Sequence, residues 1–281
     1  ENLLTVNRTH SEVMAINHAA GQHPVSVSQP VFDLIQRALN VSLLPDSSFN
    51  LTIGPLVKCW KIGFQGDCVP ARETILATLP LTCPENVQLD ADTRSVFLNK
   101  TGMEIDLGAI AKGYIADRVQ AFLQQQGVDS ALINLGGNVQ TLGAPRDAPQ
   151  QGWAIGLKTP FAAQDALIGV IHVVNKSVVT SGIYERYFEQ DGVCYHHILD
   201  RHTGYPLDNE LYSVTIISDQ SIDGDIYTTL IYGMGVEKGI AYLKSHPDIE
   251  AVFVTRDKQV ICSSQRHFHF TLLDNRFQLR H

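Results

Sequence analysis

Apolar side chains recur at helical spacing through the first half of the chain and give way to short β-branched and aromatic runs in the second. Ser11 precedes Val13, Met14, Ile16 and Asn17, the pattern of a short capped helix. Ser28-Gln29-Pro30 opens a longer helix with Val31, Leu34, Ile35, Ala38 and Leu39 on one face. A third begins at Pro70, carries Ile75, Leu76 and Leu79, and ends at Pro80. The longest, over 109–126, stops at Gly127, the residue type that most easily leaves a helix. Beyond it the pattern predicts strands over 131–135, 153–157, 169–174, 177–180, 195–199, 212–218, 251–255 and 260–263. Among them lies one helical stretch, over 225–232 and 237–243.

Helices followed by strands with one helical insertion indicate an α+β fold with mixed, mostly antiparallel sheets. The regular strand–helix alternation of a doubly wound fold is missing, as is a GxGxxG after a strand, so a Rossmann dinucleotide site is not expected. The loop over 143–151 is too short for a domain linker. At roughly 150 residues per domain, 281 residues make one large body or two small ones. Hydrophobic residues are 44% and charged residues 18%, a composition that buries a core rather than staying disordered. The net charge of −8 disfavours nucleic acid and anionic membrane as partners. No apolar run approaches the 18 or so residues of a membrane span. The five cysteines, Cys59, Cys68, Cys83, Cys194 and Cys262, lack metal-ligand spacing and suit a reducing compartment, although a pair such as Cys59 and Cys68 could close.

Several segments carry groups able to do chemistry. Asp225 and Thr229 are four apart on a helix and so share one face. A carboxylate with a hydroxyl is a partial shell for magnesium; an acid on the helix dipole beside a back-bonded threonine is the structural alternative. In Glu104-Ile-Asp106-Leu-Gly108-Ala109-Ile-Ala-Lys112-Gly113-Tyr114, an acid and a glycine turn lead into a helix whose first turn holds a lysine. Such a start can bind phosphate, while Asp106 can equally be a simple cap. Thr52-Ile53-Gly54-Pro55 and Asn134-Leu-Gly136-Gly137-Asn138 are turns that let backbone approach a ligand, or are only turns. In Tyr195-His196-His197-Ile-Leu-Asp200 the two histidines point to opposite faces of a strand, and one can serve as a base. Thr180-Ser181-Gly182-Ile-Tyr184-Glu-Arg186 adds hydroxyls and a cation suited to phosphate.

Taken in this order, these segments resemble the ApbE family of flavin transferases. The resemblance runs from Ser11-Glu12 through TIGPL at Thr52, DLGAIAKGY at Asp106, INLGGN at Ile133, TSGIYERY at Thr180, HHILDRHTGYP at His196 and DIYTT at Asp225. It implies an ApbE-like domain over the whole chain, with an α+β fold and a flavin cleft. It also implies magnesium-dependent movement of FMN from FAD onto a threonine or serine hydroxyl of a partner flavoprotein, releasing AMP. By resemblance the metal ligands are Asp225, Thr229 and the main-chain carbonyl of Ala109. The FAD contacts are Thr52, Ile53, Gly54, Asp106, Lys112 and His196, and His197 assists proton removal from the acceptor.

Three departures from the family pattern stand out. The chain starts after the strand and Met-Gly-Thr-like segment with which relatives usually begin, so that segment is expected to be missing here. Asn7 replaces an aromatic residue four before Ser11. The Asp-Pro and Ala-Asp pairs become Asp200-Arg201 and Gly224-Asp225, both keeping the acid. An FAD pyrophosphatase using water as nucleophile, or an FAD-binding protein without turnover, would share much of this equipment. The cysteine content slightly favours the cytoplasm over the lipid-anchored outer location of many relatives.

Overall fold

The computed structural model describes residues 4–5, 11–64, 66–163 and 166–280. Its helices are α1 (Glu12–His18), α2 (Gln29–Ser42), α3 (Gly54–Trp60), α4 (Arg72–Thr78), α5 (Ala111–Gln125) and α6 (Ser221–Leu243). The early strands are β1 (Val25–Ser26), β2 (Val87–Asp90), β3 (Ser95–Leu98), β4 (Ala131–Leu135), β5 (Asn138–Leu142), β6 (Trp153–Lys158), β7 (Leu167–Val173) and β8 (Ser177–Gly182). There follow β9 (Tyr187–Gln190), β10 (Val193–His196), β11 (Leu211–Ser218), β12 (Glu250–Thr255), β13 (Gln259–Cys262), β14 (His269–Leu272) and β15 (Gln278–Arg280). The residues fall into two compact units, Glu1–Ala111 with Arg186–Asp208, and Lys112–Glu185 with Asn209–His281.

The first unit holds α1 to α4, a three-stranded sheet in the order β1-β3-β2, and the β9–β10 hairpin. The Ser11 hydroxyl accepts the N–H of Met14 at 3.0 Å, capping α1 as its position suggests. One cluster of its core gathers Leu56, Trp60, Ile62, Ile75 and Leu199, with Phe188, Tyr195 and Tyr205 packed alongside. Trp60 anchors it: the indole N–H donates to the Gly204 carbonyl at 2.7 Å and the ring stacks on Tyr195 at 5.7 Å. Gly204 has φ +76, and a Cβ there would lie 2.4 Å from Ile75 Cγ2, so glycine is required on both counts.

The second unit is layered. A seven-stranded sheet runs β15-β13-β12-β11-β8-β5-β4, antiparallel except for the parallel β13–β15 pair. A three-stranded antiparallel sheet, β14-β7-β6, covers one face. Val178, Ile217, Val252 and Val254 from the large sheet meet Ile155, Ile171 and Phe270 from the small one in a shared core. α6 packs against β8 and β11. Strands buried on both faces read as near-continuous apolar runs, and β12 is buried along its whole length.

The helical stretch expected over 225–232 begins earlier, at Ser221, which places Asp225 in the second turn rather than at the dipole end. The expected interruption before 237 is real: Gly235 has φ 74 and ψ −175, and Val236 restarts the helix by donating its N–H to Glu210 Oε1 at 2.7 Å. The single strand expected over 195–199 is instead the end of a hairpin, because Asp200 folds the chain back. Asp200 accepts the N–H of His202 at 2.9 Å and the Thr203 hydroxyl at 3.0 Å. All five cysteines are free, so Cys59 and Cys68 are not joined. Among the described residues no helix is long and apolar enough to cross a membrane.

Candidate active site

Asp225 is a buried acid of the second unit with both carboxylate oxygens bonded. It is 5% exposed, on the face of α6 turned toward α5 and β5. Its Oδ2 accepts the backbone N–H of Gly113 at 2.6 Å and its Oδ1 accepts Asn138 Nδ2 at 2.8 Å. Burial pushes this carboxyl up to about 6, against the pull of the Gly113 N–H, Asn138 and the Lys112 charge; the charge of Asp117 adds to the rise. A buried carboxylate held this far from its usual range gains from a nearby cation.

The surroundings fix that carboxylate in place. The Ser221 hydroxyl donates to Asn138 Oδ1 at 2.6 Å, which orients the Asn138 amide so that its NH₂ faces Asp225. Asp117 caps α6 by accepting the N–H groups of Ser221 at 2.7 Å and Ile222 at 2.9 Å. Gly113 is needed for this approach, since a Cβ there would lie 2.3 Å from the Ser221 carbonyl oxygen. The Gly113 N–H also bears on Ala109. In a helix begun four residues earlier it would close a turn onto the Ala109 carbonyl; here it goes to Asp225, and α5 starts only at Ala111.

Thr229 lies one turn beyond Asp225 on α6 and is half-buried. The Asp225 main-chain carbonyl is occupied by the Thr228 hydroxyl at 2.9 Å. A carboxylate, a threonine hydroxyl and a backbone carbonyl are all hard oxygen donors, which suits magnesium with retained waters. Among the described residues no group of three His, Cys, Asp or Glu side chains could hold a metal. The Asp225 set, with a single carboxylate, is of a different kind. Lys112 is exposed in the first turn of α5.

In the first unit, the expected flavin contacts from two distant segments come together. Asp106 donates its N–H to the Leu51 carbonyl at 2.8 Å, and a Cβ on Gly54 would lie 3.0 Å from the Glu104 carbonyl oxygen. Thr52 is fully buried, its hydroxyl donating to Asn50 Oδ1 at 2.7 Å. Ile53 precedes α3 as its cap and packs on the Trp60 cluster. The Asp106 carboxylate accepts the Gly108 N–H at 2.7 Å, the local turn that sequence alone left open.

The two histidines differ in burial and partners, and only His196 lies within β10. His196 is buried, with Nε2 2.9 Å from the Leu207 carbonyl and Nδ1 accepting the Ile198 N–H at 3.3 Å. That pairing makes it the neutral Nε2–H tautomer and a pin for its loop. His197 is half-buried and its Nδ1 lies 3.2 Å from the Arg186 carbonyl. A carbonyl only accepts, so Nδ1 carries the proton in that bond and Nε2 is the basic nitrogen. Arg186 itself stands over the Phe64 ring at 5.7 Å. Asn7 lies outside the described residues.

Asn138, Ser221, Asp117 and Asn50 were not singled out as site residues in the sequence. Asn138 at least ends the INLGGN turn, whereas nothing near Asp117 or Ser221 marks them.

The sequence profile described as the ApbE family matches residues 1–253. A protein of Klebsiella pneumoniae named FAD:protein FMN transferase is 60% identical over 99% of this chain and 86% of its own length. One of the same name from Treponema pallidum is 38% identical, over 99% of this chain and 80% of its own. Among solved structures, the ApbE protein of Thermotoga maritima superimposes with a TM-score of 0.80 at 33% identity, covering 90% of this chain and 82% of that one. The flavin transferase ApbE of Vibrio cholerae gives 0.79 at 27% identity, covering 96% and 83%. With a profile match over most of its length and such relatives along nearly all of it, the chain belongs to the ApbE family.

Proposed function

We propose that this protein transfers FMN from FAD to a threonine or serine hydroxyl of an acceptor flavoprotein, with release of AMP and with magnesium as the metal. The naming of its relatives supports the reaction. The observation that carries the site is the buried Asp225 carboxylate, fixed by Gly113 and Asn138 and raised to about 6 by burial.

Asp225 and Thr229 would hold the metal, with the Ala109 carbonyl as the third protein ligand that family resemblance implies. When bound, the ion neutralises phosphate oxygens and stabilises charge on the departing AMP. Lys112 adds a fixed positive charge for the pyrophosphate. Thr52, Ile53, Gly54 and Asp106 contribute the flavin nucleotide cradle, and His196 supports it by pinning its own loop. The acceptor oxygen attacks the phosphorus of the FMN half. The new P–O bond forms as the anhydride P–O bond breaks, and AMP carries away the bridging oxygen. His197 Nε2 takes the proton from the attacking hydroxyl, a contribution of about two to four powers of ten in rate.

The test is AMP release from FAD in the presence of magnesium, with and without an acceptor flavoprotein. Release that requires the acceptor supports the transferase. Equally fast release into water alone identifies a pyrophosphatase, and tight FAD binding with no AMP identifies a carrier.

A further inference from the structure

The small sheet of the second unit has two faces of very different character. Ile155, Ile171 and Phe270 stand side by side across β6, β7 and β14 and enter the core. One residue along each strand, the register places Ala154, His172 and His269 in a row on the opposite, outward face. His269 is exposed, His172 half-exposed and Ala154 exposed. The two imidazoles are direct cross-strand partners, with ring centroids 6.4 Å apart and planes tilted by 36°. Among the described residues no hydrogen bond holds either ring, and His269 is exposed at the sheet's edge. On the far side of His172 the row ends in the exposed Ala154.

We infer that His172 and His269 form a binding site for a borderline transition-metal cation of the copper, nickel or zinc class, completed by water. A metal about 2.1 Å from one nitrogen of each ring sits roughly 3 Å from each ring centre. Two imidazoles therefore share an ion when their centres are about 5–6 Å apart, which a small rotation of the exposed His269 ring would supply. Imidazole nitrogen selects copper, nickel and zinc over magnesium, so this site does not compete for the hard cation proposed at Asp225. A bound ion would clip the edge strand β14 to β7, which sits between β14 and β6.

The pair is tested with Cu2+, the divalent ion that binds nitrogen ligands most strongly. One equivalent is added to the full chain in millimolar magnesium, and the electron paramagnetic resonance spectrum and the affinity are read. The parent should show coupling to two imidazole nitrogens and bind in the micromolar range. His172→Ala and His269→Ala should each lose the two-nitrogen pattern and at least tenfold in affinity, with FMN transfer unchanged. Should His172→Ala fail to fold, His269→Ala carries the test, since that side chain lies on an exposed edge. A two-nitrogen signal that survives in the variants, or parent affinity no better than theirs, overturns the site.

Discussion

Oδ2 of Asp225 receives the backbone N–H of Gly113 at 2.6 Å, joining the second turn of α6 to the first turn of α5 across 112 positions of sequence. The bond holds the carboxylate in place and takes from the start of α5 the donor that would have closed on Ala109. If Asp225 is a magnesium ligand, its replacement removes both the metal and transfer. Asp225→Asn should abolish FMN transfer. Magnesium at about 100 times its dissociation constant should raise the parent's melting temperature by several degrees and leave the variant's unmoved, as read by thermal denaturation.

Asn138 would act on the proposed metal site through Asp225. It donates to Asp225 and accepts from Ser221, so Asn138→Ala strips one donor from a buried carboxylate and leaves a buried hydroxyl short of its acceptor. The expected cost is about 1–3 kcal/mol of stability, measured by urea unfolding. Magnesium affinity should fall by about 10-fold to 100-fold, as for other groups that orient a metal ligand.

The proposed division of labour between Asp225 and His197 is also measurable. Metal and positioning should account for more of the rate than the base. Asp225→Ala should bring transfer to background, whereas His197→Ala should keep a residue about 10²–10⁴-fold below the parent. Single-turnover rates at saturating FAD separate the two. Equal losses with magnesium affinity intact in both would contradict the assignment.

A pH effect is expected far from this chemistry. Glu250, 1% exposed at the start of β12, is pushed up by burial. Bonds from the Ser264 hydroxyl and from the N–H groups of Arg266 at 2.7 Å and His267 at 3.0 Å outweigh that and hold it below the usual carboxylate range. A lowered folded value means that the stabilisation is present above the unfolded value and is lost as pH falls through the folded one. Glu250→Gln should therefore cost stability near pH 7, and the gap to the parent should narrow in acid as Glu250 takes up its proton, measured by denaturant midpoints at neutral and acidic pH.

Much of this fold was legible because its strands are rich in β-branched residues. β11 and β12 are buried nearly throughout, and both were placed within a residue or so by composition. β2 and β3 were missed because four-residue strands with polar positions give too short an alternation. The first turn of α6 was missed because Gly224 weakens the helical signal. That glycine answers a tertiary need, since a Cβ there would lie 2.5 Å from Val179 Cγ2. The site divides in the same way. Asp225 and Thr229 show themselves by helical spacing, which is local. The Gly113 and Asn138 bonds to Asp225 and the Asp117 cap span 87 to 112 positions, and no local pattern encodes them.

The most direct test of the proposed reaction is intact-mass and peptide mass spectrometry of an acceptor flavoprotein after incubation with this protein, FAD and magnesium. The account requires a gain of one FMN less one water on a single threonine or serine, matched by one AMP released and absent with Asp225→Asn. An acceptor of unchanged mass, while FAD is still split to FMN and AMP, would contradict it.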